Sequence, residues 1–137
     1  MSDEDLKELR SNGFEALYLN LNHSSSIKSC VLSLLHNCKY GVAALINNAV
    51  IAIPGSVEDL SRQDLREQLK VNVFGLQELT NAVMFTFRRQ VWGRIVNISS
   101  INGVVTAPMV GGIAHLNTHL RLFRMRSEWN LVQAEFP

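Results

Sequence analysis

Two short apolar runs flank one long stretch of helical periodicity between residues 42 and 98, and this order restricts the fold more than any other feature of the chain. The first run, Val42 to Ile46, has no polar side chain, the pattern of a parallel strand covered on both faces. It ends in Asn47-Asn48-Ala49, and a loop with Pro54-Gly55 then leads to Ser61-Arg62-Gln63-Asp64, which reads as a helix cap with an acid in the first turn. Leu65, Leu69, Val73, Leu76, Val83 and Phe87 continue at helical spacing to about Gln90, with Gly75 inside the helix. Gly93 opens the second run, Arg94 to Ile98.

Upstream the same alternation is present. Asp3 to Ser11 reads as a helix closed by Asn12-Gly13, and Phe14 to Leu21 as a strand. The polar stretch Asn22 to Ser26 offers caps for a helix through about Asn37, with Ile27, Val31, Leu34 and Leu35 facing the core. Helix and strand alternate three times, with connections long enough for parallel crossovers, which predicts a doubly wound α/β layout. Ligands of such sheets lie beyond the carboxyl ends of the strands, where this chain carries Asn20, Asn47-Asn48 and Ser99-Ser100.

A length of 137 residues suits one domain with one core. A formal charge of +1 gives no electrostatic reason to expect nucleic acid or an anionic membrane as partner. Cys30 and Cys38 are too few for a disulfide framework and lack zinc spacing, so buried reduced thiols and no metal site are expected. The N-terminus is acidic where a secretory signal would be basic, and Val42 to Ile53 is too short to span a bilayer. The expectation is a soluble cytoplasmic protein.

Three segments carry a family resemblance: Ile46-Asn47-Asn48-Ala49, Val71-Asn72-Val73-Phe74-Gly75, and Gly93-Arg94-Ile95-Val96-Asn97-Ile98-Ser99-Ser100-Ile101-Asn102-Gly103. Singly, each has an ordinary reading: a turn, a surface asparagine in a helix, a cap after a strand. In this order, each at the end or kink of its element, they resemble the short-chain dehydrogenase/reductases over roughly Asp5 to Gly112. The resemblance implies NAD or NADP as cofactor and an alcohol or carbonyl substrate. It makes Asn72 the asparagine that bends the long helix and organises a proton-relay water, and Ser100 the substrate-orienting serine. It places Asn48 and Ala49 beside the cofactor, Asn20 where the family has an aspartate touching the adenine, and Leu21 next to it. Val50 stands where the family has glycine, so a Cβ there is expected to crowd either the turn or the ligand.

The departures are as informative. Family chemistry resembles acid-base work by a tyrosine whose phenol pKa is lowered by a lysine four residues later. Those positions are Ile113 and Asn117 here, and neither side chain can do the work. The expected division is a family domain over residues 1–112 and an unrelated tail over 113–137. Read one frame away, permitted codons for Gly112 to Pro137 spell Y-S-S-S-K-Y-A-L-E-A-F-S-D-A-L-R-M-E-L and then S-P-S-G-I-S, and Trp129-Asn130 forces one glutamate of that reading. A frameshift between about Pro108 and Ile113 is therefore expected, which makes His115, His119, Arg121, Arg124 and Arg126 accidental. No G-x-x-x-G-x-G occurs in the chain. The expected fold is a partial Rossmann-like sheet with three strands retained and the family's first two and last strands missing. The expected function is an inactive remnant of an oxidoreductase. The alternative is a noncatalytic module that pairs, with its copy or a full-length relative, through the helix 62–90. Leu76, Leu79, Val83 and Phe87 are expected to leave an apolar face exposed for that pairing.

Overall fold

The computed structural model describes residues 3–56 and 58–98. Helix α1 spans Asp3–Ser11, α2 Ser24–Asn37 and strand β1 Ala44–Asn47; α3, Arg62–Leu69, runs through a π-helical segment, Lys70–Gly75, into α4, Leu76–Gln90, and β2 is Arg94–Asn97. The two strands pair in parallel, with Leu45 opposite Ile95 and Asn47 opposite Asn97. This is the α/β, parallel-sheet class expected from the sequence.

One face of the sheet makes the core. Leu79, Val83 and Phe87 of α4 recur at helical spacing and meet Ile27 and Val31 of α2, with Leu45 and Ile95 of the sheet packed against them. Val83 is 1% exposed, and burial of each such side chain contributes about 1.5–3 kcal/mol over leaving it in water. The expectation that Leu76, Leu79, Val83 and Phe87 form an exposed pairing face is thereby corrected: all four are buried. The same α4 stripe cannot serve the core and a partner at once. The large apolar side chains that α4 and the π segment do expose are Phe85 and Phe74.

Three further expectations change. Residues 14–20 form no strand ladder, because no other strand lies beside them among the described residues; Arg10 instead ties α1 to this segment by donating from Nη2 to the Ala16 carbonyl at 2.8 Å. The two remaining strands are covered on one face only, leaving Ile46 63% exposed and Val96 42%. The cysteines are free and half-buried rather than buried, and burial pushes the Cys30 thiol pKa up.

Side-chain amides bracket β1. Before the strand, Gln90 Oε1 accepts from the Val42 N–H at 3.2 Å while its Nε2 donates to the Val42 carbonyl at 2.6 Å and to that of Trp92 at 2.7 Å. Within the strand, Asn47 Nδ2 donates to Thr80 Oγ1 of α4 at 3.2 Å and to Asn97 Oδ1 of β2 at 2.8 Å. These bonds fix strand against helix, and so fix where the strand's carboxyl end emerges. No helix among the described residues is long and apolar enough to cross a membrane.

Candidate functional site

The chain leaving β1 passes Asn48, Ala49 and Val50 and is caught again at Ile51. Asn72 Oδ1 accepts from the Ile51 N–H at 2.9 Å, and Asn72 Nδ2 donates to the Ile51 carbonyl at 2.8 Å. Asn72 is 3% exposed and sits in the π segment, whose wider turn is closed by the Leu76 N–H reaching back to the Val71 carbonyl. An extra residue in one turn rotates the side chains that follow it, and such turns concentrate at functional sites. Asn72 thus lies in a π segment, and its side chain is bonded to the loop after β1 rather than lying on the surface.

Gly75 closes that segment against the chain ahead of α2. It has an ordinary helical backbone, φ −64 and ψ −42, so conformational freedom is not what glycine supplies there. A Cβ at this position would overlap the carbonyl and Cβ of Leu21. The close approach holds residues 18–22 beside the loop that Asn72 anchors.

Between these two pieces lies a cavity of about 320 Å³ lined by Tyr18, Leu19, Asn20, Leu21, Asn22, Ala49, Val50, Ile51 and Val71. Three of the four expected cofactor-binding residues, Asn20, Leu21 and Ala49, thus share one cavity; the fourth, Asn48, is exposed and does not line it. Val50 has no left-handed backbone, so the turn accepts its Cβ without strain. Its side chain stands at the cavity wall, which is where any crowding falls.

The walls are mostly aliphatic, with Asn20, Asn22 and Tyr18 as polar members, a composition suited to a flat ring held between apolar faces. Asn20 is held by the main chain around it. Its N–H donates to Ser26 Oγ at 2.9 Å, its carbonyl accepts from the His23 N–H at 3.2 Å, and its Oδ1 accepts from the Asn22 N–H at 2.9 Å. The polar run 22–26 thus serves the turn more than the helix: the cap residue of α2 is His23, with no side-chain cap bond. At α3 the expected cap is present in full, Ser61 and Asp64 forming a reciprocal capping box.

The residues that sequence reasoning missed are Thr80, Asn97, Ile51 and Gln68. Thr80 and Asn97 hold Asn47, and Ile51 is the partner of Asn72. Gln68 lies one turn before Asn72, 0% exposed, with neither amide atom partnered among the described residues. Ser100, Ile113 and Asn117 lie outside the described residues.

Comparison with known proteins shows the family and the fold. The sequence profile of the family described as short chain dehydrogenase matches residues 2–112. The chain is 30% identical over 114 residues to the uncharacterized oxidoreductase YbbO of Escherichia coli (strain K12), spanning 81% of this chain and 41% of that protein. It is 36% identical over 77 residues to the NADPH-dependent 3-dehydrocapnine reductase of Ornithobacterium rhinotracheale, spanning 53% of this chain and 27% of that one. A short-chain dehydrogenase from Streptomyces avermitilis superposes with a TM-score of 0.86 at 23% identity, over 97% of this chain and half of the other (50%). A gluconate 5-dehydrogenase from Burkholderia cenocepacia J2315, solved with NADP and tartrate, gives 0.77 at 19% identity over 93% of this chain and 51% of that one. The chain therefore spans about half the length of these solved structures, and less of the curated relatives.

Proposed function

The chain belongs to the short-chain dehydrogenase family, and we propose that it carries the base-binding side of an NAD(P)-dependent oxidoreductase site for an alcohol or carbonyl substrate without completing the chemistry itself. The observation that carries this reading is the single cavity collecting Asn20, Leu21 and Ala49 beside Val71, the neighbour of Asn72. Its apolar walls and amide edge fit the base end of a dinucleotide. NAD(P) supplies or accepts the hydride when bound. On this side of the site, Leu21, Ile51 and Val71 would flank the base, Asn20 would meet its polar edge, and Asn72 would keep Ile51 in place. Ser100 would orient the substrate.

The inactive half of the reading rests on side-chain chemistry. Hydride transfer at an alcohol or carbonyl carbon needs a group that gives or takes the oxygen's proton. At the family's tyrosine and lysine positions stand Ile113 and Asn117, an alkyl group and a neutral amide. The test is a titration of the purified chain into NADH and NADPH, followed by cofactor fluorescence. No saturable micromolar binding is expected; a saturable micromolar isotherm would contradict the reading.

A second reading, a noncatalytic module that pairs through the helix 62–90, is favoured by exposed Phe74 and Phe85, respectively 63% and 65% accessible. A defined dimer in sedimentation, abolished by Phe85→Ser, would support it; a monomer would remove it.

A further inference from the structure

The formal charge of +1 hides an uneven distribution. Where α4 hands over to β2, Arg88 and Arg89 occupy the last helical turn, Val91 takes a left-handed backbone at φ 62, and Arg94 opens the strand. Gln90 bonds both main-chain polar atoms of Val42 and the carbonyl of Trp92, and a Cβ on Gly41 would lie 3.8 Å from Trp92 Cζ2. These contacts set the turn after α2, with Lys39 and Tyr40, against the turn after α4. Both turns lie at the amino end of the sheet, opposite the cavity beyond its carboxyl end.

Lys39, Arg88, Arg89 and Arg94 are all exposed, and none of them pairs with a carboxylate among the described residues. Beside them stand large apolar side chains in water: Tyr40 is 96% exposed, Trp92 51% and Val91 63%. Folding gives no reason for the valine, since a left-handed backbone is strained for a β-branched residue and its side chain packs on little. Side chains that project this far form no concave site for a small ligand. Cations around an indole and a phenol instead match a lipid headgroup layer, where guanidinium and ammonium groups meet anionic headgroups and the amphipathic rings rest at the hydrocarbon boundary. A nucleic acid would take the cations and stack on the rings, but offers nothing to an exposed valine. We propose that the amino end of the sheet docks reversibly on an anionic lipid surface, with Val91 and Trp92 among the headgroups and the four cations around them. The cavity at the carboxyl end then faces away from the lipid.

The test uses the full chain carrying Trp129→Phe, which leaves Trp92 as its one indole. It is titrated with vesicles of phosphatidylcholine alone and with vesicles holding about 30% phosphatidylserine. Trp92 emission is expected to shift to shorter wavelength with the anionic vesicles, and partition onto them to be about tenfold stronger than onto the neutral ones. The preference should vanish in about 0.5 M salt, where exposed charges are screened within a few ångströms. Replacing Lys39, Arg88 and Arg89 with glutamine should remove it as well. Val91→Gly suits the left-handed backbone and so keeps the fold, yet should weaken partition while leaving its salt dependence in place. No shift, equal partition onto neutral vesicles, or a preference that survives the glutamine substitutions would overturn the proposal, the last by placing the contact elsewhere in the chain. Tighter binding to duplex DNA than to the anionic vesicles would overturn the lipid assignment. If the glutamine variant does not fold, the Trp92 shift and its salt dependence still decide.

Discussion

Asn72 grips Ile51 at both of its main-chain polar atoms, accepting from the N–H at 2.9 Å and donating to the carbonyl at 2.8 Å. A buried side-chain amide thereby stands in for a strand neighbour at the point where the chain leaves β1. Replacing it with alanine removes two hydrogen bonds and strands a half-buried peptide group. Asn72→Ala is expected to lower unfolding stability by about 2 kcal/mol, measured by urea denaturation. Asn72→Asp can still accept from the N–H but sets a second acceptor against the Ile51 carbonyl at a buried site, and should lose at least as much. A loss under about 0.5 kcal/mol for alanine, the range of an ordinary surface change, would show that the clamp is not formed.

Gly75 opposes two principles. Glycine inside a helix is about 1 kcal/mol worse than alanine, so Gly75→Ala should stabilise if the helix alone mattered. The added Cβ would instead overlap the Leu21 carbonyl, main chain that cannot turn aside. Overpacking of this kind costs about 1–3 kcal/mol, so a net loss of about 1–2 kcal/mol is expected, with amide shifts concentrated in residues 18–22. Stabilisation by alanine would place Leu21 away from the helix.

These two positions show what could be read from the sequence and what could not. The helices at 3–11, 24–37 and 62–90, the strands near 42–47 and 94–98, and the capping box at Ser61 follow from local periodicity and local chemistry. The clamp on Ile51 did not, because a contact with a main-chain group leaves no residue-type signature on the partner. Phe14 to Leu21 has strand composition but no ladder, since strand pairing depends on a neighbour and composition does not supply one. Leu79, Val83 and Phe87 were legible as an apolar stripe, but periodicity cannot say whether a stripe faces a core or a partner. For the site, Asn20, Leu21 and Ala49 were legible by resemblance; the role of Asn20 Oδ1 in the turn needed coordinates.

Gln68 is an unpaid desolvation. Both of its amide atoms are buried without partners among the described residues, and an unsatisfied buried group costs about 1–3 kcal/mol. Gln68→Met keeps the length and removes the polar atoms, so thermal unfolding should shift upward, by about 1 kcal/mol of stability. A loss of stability in this variant would reveal a hydrogen-bond partner for the amide.

The α3 cap responds to acid. The Ser61 hydroxyl, then the Ser61 N–H, bond the Asp64 carboxylate and hold its pKa below the ordinary value of about 3.9. A carboxyl lowered in the folded state contributes stability that is present above the unfolded pKa and lost as pH falls through the folded one. The start of α3 should therefore lose its cap only below the ordinary aspartate range, read as faster amide exchange at residues 62–66. Ser61→Ala removes the hydroxyl but keeps the Ser61 N–H, so it should weaken this acid dependence without abolishing it and cost about 1 kcal/mol at neutral pH. An unchanged profile in Ser61→Ala would show that the hydroxyl does not hold the carboxylate.

On the proposed reading Ile113 and Asn117 stand where the family has its tyrosine and lysine, and an alkyl group and a neutral amide cannot move a proton to or from a substrate oxygen. It is tested most directly by following absorbance of NADH and NADPH with the purified chain and a panel of ketones, and of NAD and NADP with the matching alcohols. No turnover above the enzyme-free rate is expected at any substrate concentration. Turnover that rises with protein concentration and saturates with substrate would contradict the account.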